Sequence, residues 1–271
     1  MQRSLKYRRL IPEARRLVVK IGTGVLTQKS GRPDTRRMRS LVRDLAALQR
    51  KGYEVAIVTS GAIGAGMEAL GMKERPTDVA DLQMAAAIGQ TRLMSKYAEF
   101  FAAAGCNVGQ ILLTHDDFKH KIRLSNARRT IENLIRHKVV PIINENDVVA
   151  DEEIKADLAL GDNDYLASLV AKLIRADLLI ILTTTDGLRN HRNGRSQRIR
   201  YLESITPQTF RLVVPGHSQL SKGGMASKLK AAQAVAKAGC ISVIASGRVP
   251  RILLKIMAGE DVGTLILASG L

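Results

Sequence analysis

Short continuous apolar runs alternate along this chain with longer stretches in which apolar positions recur every three or four residues. The runs at 17–21, 54–59, 110–114, 139–144, 178–182, 241–245 and 264–267 predict strands. Between the first two, Pro33-Asp34 opens a predicted helix with Met38, Leu41, Val42, Leu45 and Leu48 on one face, and Lys51-Gly52 closes it. Further helices are predicted over 78–104, 125–137, 226–238 and 249–257. Another is opened by Gly161-Asp162-Asn163-Asp164 and buries Leu166, Leu169, Val170, Leu173 and Ile174. In the helix at 78–104, the small residues Ala85-Ala86-Ala87-Ile88-Gly89 predict close packing against a neighbour. Residues 150–160 lack a period and read as a hairpin or an irregular excursion. Residues 189–200, with Arg189, Arg192, Arg195, Arg198 and Arg200, read as an exposed loop.

Strands that are apolar without alternation, separated by helices, predict an α/β fold whose mostly parallel sheet is covered on both faces. Ligands bind such sheets beyond the carboxyl ends of the strands. The polar and glycine-rich clusters of this chain all follow predicted strands: Gly22 to Gly24, Ser60 to Gly66, Asn144 to Asp147, and Thr183 to Asp186. No repeat or low-complexity linker divides the chain, so residues 1–15 read as a basic extension and 16–271 as one domain.

Composition narrows the function classes. Hydrophobic residues make up 45% and charged residues 25% of the 271, which is globular rather than disordered. No apolar run reaches the ~18 residues of a membrane span, and the first 16 residues carry six basic side chains without a secretory apolar core. Two cysteines, Cys106 and Cys240, suit packed thiols better than a disulfide framework or a metal site. The cytoplasm is the expected location. The net charge of +17, from 42 basic and 25 acidic residues, favours anionic partners. With aromatics at 3% and no tryptophan there is little to stack on exposed bases, so small anions such as nucleotide phosphates are favoured over nucleic acid.

Val19-Lys20-Ile21-Gly22-Thr23-Gly24 places one lysine just before a turn whose glycines let backbone N–H groups approach an anion. It matches neither the Walker phosphate loop nor the dinucleotide fingerprint, whose third glycine is Thr27 here. Gly223-Gly224 precedes a helix and supplies a second anion position at its N-terminus. Lys228 lies in that helix's first turn, unfavourable to the dipole; it reads as a solvated lysine or, better, as a partner to a nearby anion. Asp162 and Asp164 exceed what one helix cap requires. Asp147, in Asn144-Glu145-Asn146-Asp147, reads as a turn residue or as a carboxylate for an ammonium group.

Five motifs carry a resemblance: Val-Val-Lys-Ile-Gly-Thr at 18–23, Val-Thr-Ser-Gly-Ala-Ile at 58–63, Pro-Ile-Ile-Asn-Glu-Asn-Asp at 141–147, Gly-Asp-Asn-Asp at 161–164 and Gly-Gly-Met-Ala-Ser-Lys at 223–228. In order and spacing they resemble the glutamate 5-kinase family of the amino acid kinase superfamily, over about 16–267. The resemblance implies a three-layer αβα sandwich and ATP-dependent phosphorylation of the L-glutamate γ-carboxylate, the first step of proline synthesis. It implies that Lys20 and Lys228 stabilise the transferred phosphoryl group, and that Asp164 with Asp162 orients the lysines or Mg²⁺, with no direct protein ligand to the metal assigned. Ser60, Gly61, Asp147 and Asn163 would hold glutamate. Lys20, Gly22, Thr23, Gly24, Thr183, Thr184, Asp186, Lys222, Gly223, Gly224, Met225 and Lys228 would line the nucleotide.

Proline as feedback inhibitor and a homodimer or homotetramer are also implied. The chain departs from the family at Thr184, where an aspartate is usual and whose contact would be lost or pass to Asp186, and at Ser221-Lys222, where Gly-Thr is usual. It stops at Leu271, so a form lacking the C-terminal PUA domain is expected. The rival readings are another small-molecule kinase of the superfamily, a nucleotide-binding oxidoreductase, and a basic RNA-binding or regulatory protein that retains the fold.

Overall fold

The structure, a computed structural model, describes residues 2–28, 32–149, 163–192, 195–213 and 224–270. Among these, β1 (Arg16–Ile21), β2 (Glu54–Val58), β3 (Asn107–Leu113), β4 (Val139–Glu145), β5 (Leu178–Thr183), β8 (Tyr201–Leu202), β9 (Ile241–Ser246) and β10 (Thr264–Ile266) form one sheet. The strand order is β3-β4-β2-β1-β5-β9-β10-β8, and every pairing is parallel except that of β9 with β10. From β1 the chain first moves outward through β2, then returns to place β5 on the other side of β1. That reversal opens a crevice at the carboxyl ends of β1 and β5, where ligands bind in such sheets.

Two apolar layers cover the sheet. On one face, α3 (Thr35–Arg50), α5 (Val79–Ala102) and α10 (Ile252–Met257) pack on Leu17, Val19 and Ile21 of β1, together with Val55 and Ile57 of β2 and Val140 and Ile142 of β4. On the other, α6 (Lys121–Arg136), α7 (Asn163–Leu173) and α9 (Met225–Ala236) pack on Val18, Ala56, Val58 and Ile143. The expected three-layer αβα sandwich is therefore observed, and the period of two along each strand decides which layer each side chain enters. Both cysteines are free and buried, and burial pushes the Cys240 thiol up to about 12.

The small-residue run in α5 has a definite use. A Cβ on Gly89 would stand 1.8 Å from the carbonyl oxygen of Ala62, and one on Gly66 would stand 1.8 Å from that of Ala85. The helix α4 (Ala62–Ala69), which starts directly after Ser60-Gly61, is thus held backbone against backbone on α5.

Several expectations are corrected. The turn after β1 is a short helix, α2 (Thr23–Leu26), and Gly22 is extended at φ −73°. Gly22 and Gly24 serve close approach instead: Cβ atoms there would meet Leu182 O at 3.2 Å and Thr184 Cγ2 at 2.9 Å. The exposed loop expected at 189–200 contains an antiparallel hairpin, β6 (Arg189–Arg192) with β7 (Arg195–Arg198). Polar on both faces, it shows no hydrophobic alternation, and side chains tie it down: Arg189 donates to Asp186 and Ser196, while Arg198 and Arg200 reach Asp261 at 3.0 and 3.2 Å. The residues before β1 pack into the body. At the end of α1 (Gln2–Arg8), the fully buried Arg8 guanidinium donates to the carbonyls of Arg200, Glu260, Val262 and Gly263. Burial lowers its pKa to about 10, so it stays charged at neutral pH. The expected excursion at 150–160 and the turn at 221–223 lie outside the described residues. Among the described residues no helix is long and apolar enough to cross a membrane.

Two predictions follow from this packing. Gly89→Ala forces Cβ into a carbonyl that cannot retreat, so a loss of about 3 kcal/mol or more is expected in the urea-unfolding free energy; a loss under about 0.5 kcal/mol would contradict the contact. Asp44 is buried on α3, and burial raises its pKa above the ordinary 3.8, outweighing the opposing pull of the nearby Leu253 backbone and Arg251. The folded chain therefore binds this proton more tightly than the unfolded chain, and the stability it contributes falls as pH rises above about 3.8. Asp44→Asn keeps an acceptor oxygen and cannot ionise. The difference in melting temperature, variant minus parent, should increase as pH is raised through that window, and a decrease would refute the assignment.

Candidate active site

The period of two along β1 sends Leu17, Val19 and Ile21 to one layer and Val18 and Lys20 to the other. Lys20 therefore points from the end of β1 toward α7 and α9, where it is only 3% exposed. Its Nζ pairs with Asp164 Oδ1 at 2.6 Å, and Lys228 Nζ donates to Asp164 Oδ2 at 2.9 Å. Ser227 Oγ donates to the same Oδ2 at 2.9 Å. Asp164 is fully buried in the first turn of α7, where a carboxylate also suits the helix dipole. Lys228 is in the first turn of α9, whose N-cap is Gly224. Its unfavourable place on the dipole is compensated by the carboxylate it meets, so the anion expected beside it is at least Asp164.

A second group forms where β2 and β4 end. Asn163 Nδ2 faces Ser60 Oγ and Asn144 Oδ1, both at 2.9 Å, and donates also to the Thr59 carbonyl. Gly61 N-caps α4 at φ +106°, a left-handed conformation that a side chain would strain. Asn163 and Asp164 are consecutive, so the two groups share one helix end. Asp147 is half-buried in the turn after β4. A cleft of about 240 Å³ opens against Ser60 and Gly61, walled by Leu26, Met38, Arg92 and Leu93.

On the other side of Lys20, the Gly22 N–H donates to Leu182 O at 3.2 Å, so this amide is spent on the β1–β5 seam rather than on an anion. Thr23 and Gly24 form the first turn of α2, against the exposed Thr184. Thr183 is half-buried at the end of β5. Asp186 is exposed and held by Arg189 Nη1 at 2.7 and 2.8 Å. Gly224 and Met225 open α9. Asp162, Lys222 and Gly223 lie outside the described residues.

The sequence assigns no site role to Ser227, Asn144, Thr59, Gln90 or Tyr97, although the first three lie within its motifs. Tyr97 OH lies 2.8 Å from Thr59 Oγ1, and Asn144 Nδ2 donates to Gln90 Oε1 at 2.8 Å. A signal existed: Gln90 stands on the stripe Leu82, Ala86, Leu93, Tyr97 of α5, a polar residue in a buried helical period.

The profile of the amino acid kinase family matches residues 15–246, which take in β1, both lysines and Asp164. Two solved structures share the fold at 15% identity. The carbamate kinase from Giardia lamblia bound to AMP-PNP superposes with a TM-score of 0.66 over 94% of this chain and 99% of that one. The UMP kinase from Bacillus anthracis does so at 0.61, over 95% and 97%. Fold and profile together define the amino acid kinase class. Within it, this chain is 40% identical to the glutamate 5-kinase of Teredinibacter turnerae over 97% of its length and 70% of the relative's. It is 42% identical to that of Citrifermentans bemidjiense, over 96% and 70%, and 40% identical to that of Lactiplantibacillus plantarum, over 93% and 97%. The chain belongs to the glutamate 5-kinase family.

The buried bridge makes a stability prediction independent of any ligand. Asp164→Ala leaves two ammonium groups buried without their shared carboxylate and should cost about 3–5 kcal/mol by denaturant titration. A cost below about 1 kcal/mol would show that the lysines do not depend on it.

Proposed function

We propose that the chain transfers the γ-phosphoryl group of ATP to the γ-carboxylate of L-glutamate, giving L-glutamyl 5-phosphate and ADP, with Lys20 and Lys228 as the catalytic cations. The observation that carries the assignment of roles is the single carboxylate of Asp164 spanning both ammonium groups, beside Ser60 and Asn163. In the reaction an acceptor carboxylate oxygen forms a bond to the γ-phosphorus while the bond from phosphorus to the β,γ-bridging oxygen breaks, its electron pair leaving with ADP. The acceptor is already ionised, so no side chain has to remove a proton. What the protein must supply is alignment of two anions and positive charge on the phosphoryl oxygens during transfer. Lysines fixed in a buried site do this without reorganising at the moment of reaction.

Ser60, Gly61 and Asn163 form the acceptor side of this reading, and Asp147 pairs with the substrate ammonium group. Gly22, Thr23, Gly24, Thr183, Thr184, Gly224 and Met225 line the donor side, joined by Lys222 and Gly223. Both oxygens of Asp164 are already engaged by lysines, so Asp164 fits an organiser of cations better than a metal ligand. Magnesium bound with the nucleotide would be carried mainly by its phosphates and add to the neutralisation of their charge. Inhibition by proline and a homodimeric or homotetrameric state belong to the same reading.

Incubation with MgATP, glutamate and hydroxylamine should yield glutamyl hydroxamate. Lys20→Ala and Lys228→Ala should each lower kcat by about 10³-fold, while Asp147→Ala should raise the glutamate KM about tenfold or more with a smaller change in kcat. No hydroxamate from the folded parent would overturn the reaction; an active Lys20→Ala would overturn the mechanism.

A further inference from the structure

The acceptor side is framed by one helix that the reaction itself does not call on. Along β2 the side chains of Val55 and Ile57 enter the layer of α3, α5 and α10, and along β4 those of Val140 and Ile142 enter the same layer. By the period of two, the next residues of these rows are Thr59 and Asn144. Both are polar and buried, with 0% and 2% exposure. Each meets a polar side chain of α5, Thr59 through Tyr97 and Asn144 through Gln90. Gln90 and Tyr97 are seven residues apart, two turns on one helix face. The glycine contact of Gly89 with Ala62 fixes α5 against α4 one residue before Gln90.

The amide orientations follow from their neighbours. Asn163 Nδ2 is surrounded by three acceptors, Thr59 O, Ser60 Oγ and Asn144 Oδ1, so the nitrogen and not the oxygen of Asn163 faces this cluster. Asn144 must then offer its oxygen to Asn163, and its nitrogen turns toward α5, where Gln90 Oε1 accepts from it. If Gln90 lost that oxygen, the Asn144 amide could turn over and set donor against donor at Asn163. Gln90 Nε2 is buried without a hydrogen-bond partner among the described residues, so the oxygen is the atom of this amide that the cluster uses.

We infer that Gln90 is a positioning residue for the carboxylate acceptor: its Oε1 fixes Asn144, and through Asn144 the side chain of Asn163 at the acceptor subsite. This rests on the reading of Ser60 and Asn163 as the glutamate side of the site. It assigns a function to α5, whose Gln90 and Tyr97 hold the two strand ends in register beneath the acceptor.

The test uses Gln90→Met, which keeps length and removes the acceptor, and Gln90→Glu, which keeps an acceptor oxygen whether or not it is protonated. Hydroxamate kinetics on Gln90→Met should show the glutamate KM raised about tenfold with the ATP KM within twofold of the parent. Gln90→Glu should recover most of that loss. In an Asn144→Ala background, Gln90→Met should add less than a further twofold, since its effect passes through Asn144. A Gln90→Met enzyme with unchanged glutamate KM, a rise in both KM values alike, or additive effects in the double variant would overturn the inference. Melting curves on every variant separate these outcomes from misfolding, and if Gln90→Met does not fold, failure of Gln90→Glu to keep a parental glutamate KM overturns it equally. A parent that forms no hydroxamate fails the kinase reading; a parent that forms it with Gln90→Met unaffected fails only this one.

Discussion

The buried carboxylate of Asp164 is the constraint around which the molecule is arranged. Burying charged groups costs free energy that only close, well-made pairing offsets, and here one carboxylate has to serve two lysines at 2.6 and 2.9 Å. The partners come from opposite sides of the central seam. Lys20 lies one residue before the end of β1, which with β2, β4 and β3 makes one half of the sheet, whereas Asp164 precedes β5 and Lys228 follows it, in the half that β5 begins. The pairing of Leu17 to Ile21 with Leu178 to Leu182 along the seam therefore sets the approach of the lysine to its carboxylate. A slip of one residue there would turn Lys20 to the other face of the sheet.

The same alternation that buries the core distributes the chemistry. The row of β1 facing α7 and α9 ends in Lys20, on the donor side of the proposed reading, while those facing α5 end in Thr59 and Asn144, on its acceptor side. Asn163 and Asp164, adjacent at the start of α7, are where the two sides meet. The site thus depends on where each apolar row stops, since the first polar residue after a buried run is held by everything packed beneath it.

Much of this was legible in the sequence. Unbroken apolar runs gave away the parallel sheet because both of its faces are buried, and Lys20 was conspicuous as a charge in the interior of such a run. Asp164 and Lys228 were visible through helix-end logic, one exceeding the needs of a cap and the other set against the dipole. That both lysines meet Asp164 followed only from the resemblance, because a contact across 64 residues leaves no local mark. Gln90 and Tyr97 were hidden for a different reason: within a long amphipathic helix, a polar residue on the buried stripe looks like an interruption until its partner at a strand end is known. The hairpin at Arg189 to Arg198 escaped because β-hairpins announce themselves by alternation, and one that is polar on both faces has none. The short α2 escaped because glycines invite a turn with positive φ, whereas Gly22 and Gly24 are small in order to admit neighbours.

Arg8 bears on the order in which the chain can be completed. Its guanidinium finds its acceptors at residues 200, 260, 262 and 263, as many as 255 positions later. At ribosomal speeds of about 5–20 residues per second, α1 waits on the order of ten seconds or more after it is synthesised before those carbonyls exist. Docking of α1 is thereby coupled to the arrival of the residues that lead into β10, and the guanidinium is satisfied only once they are in place.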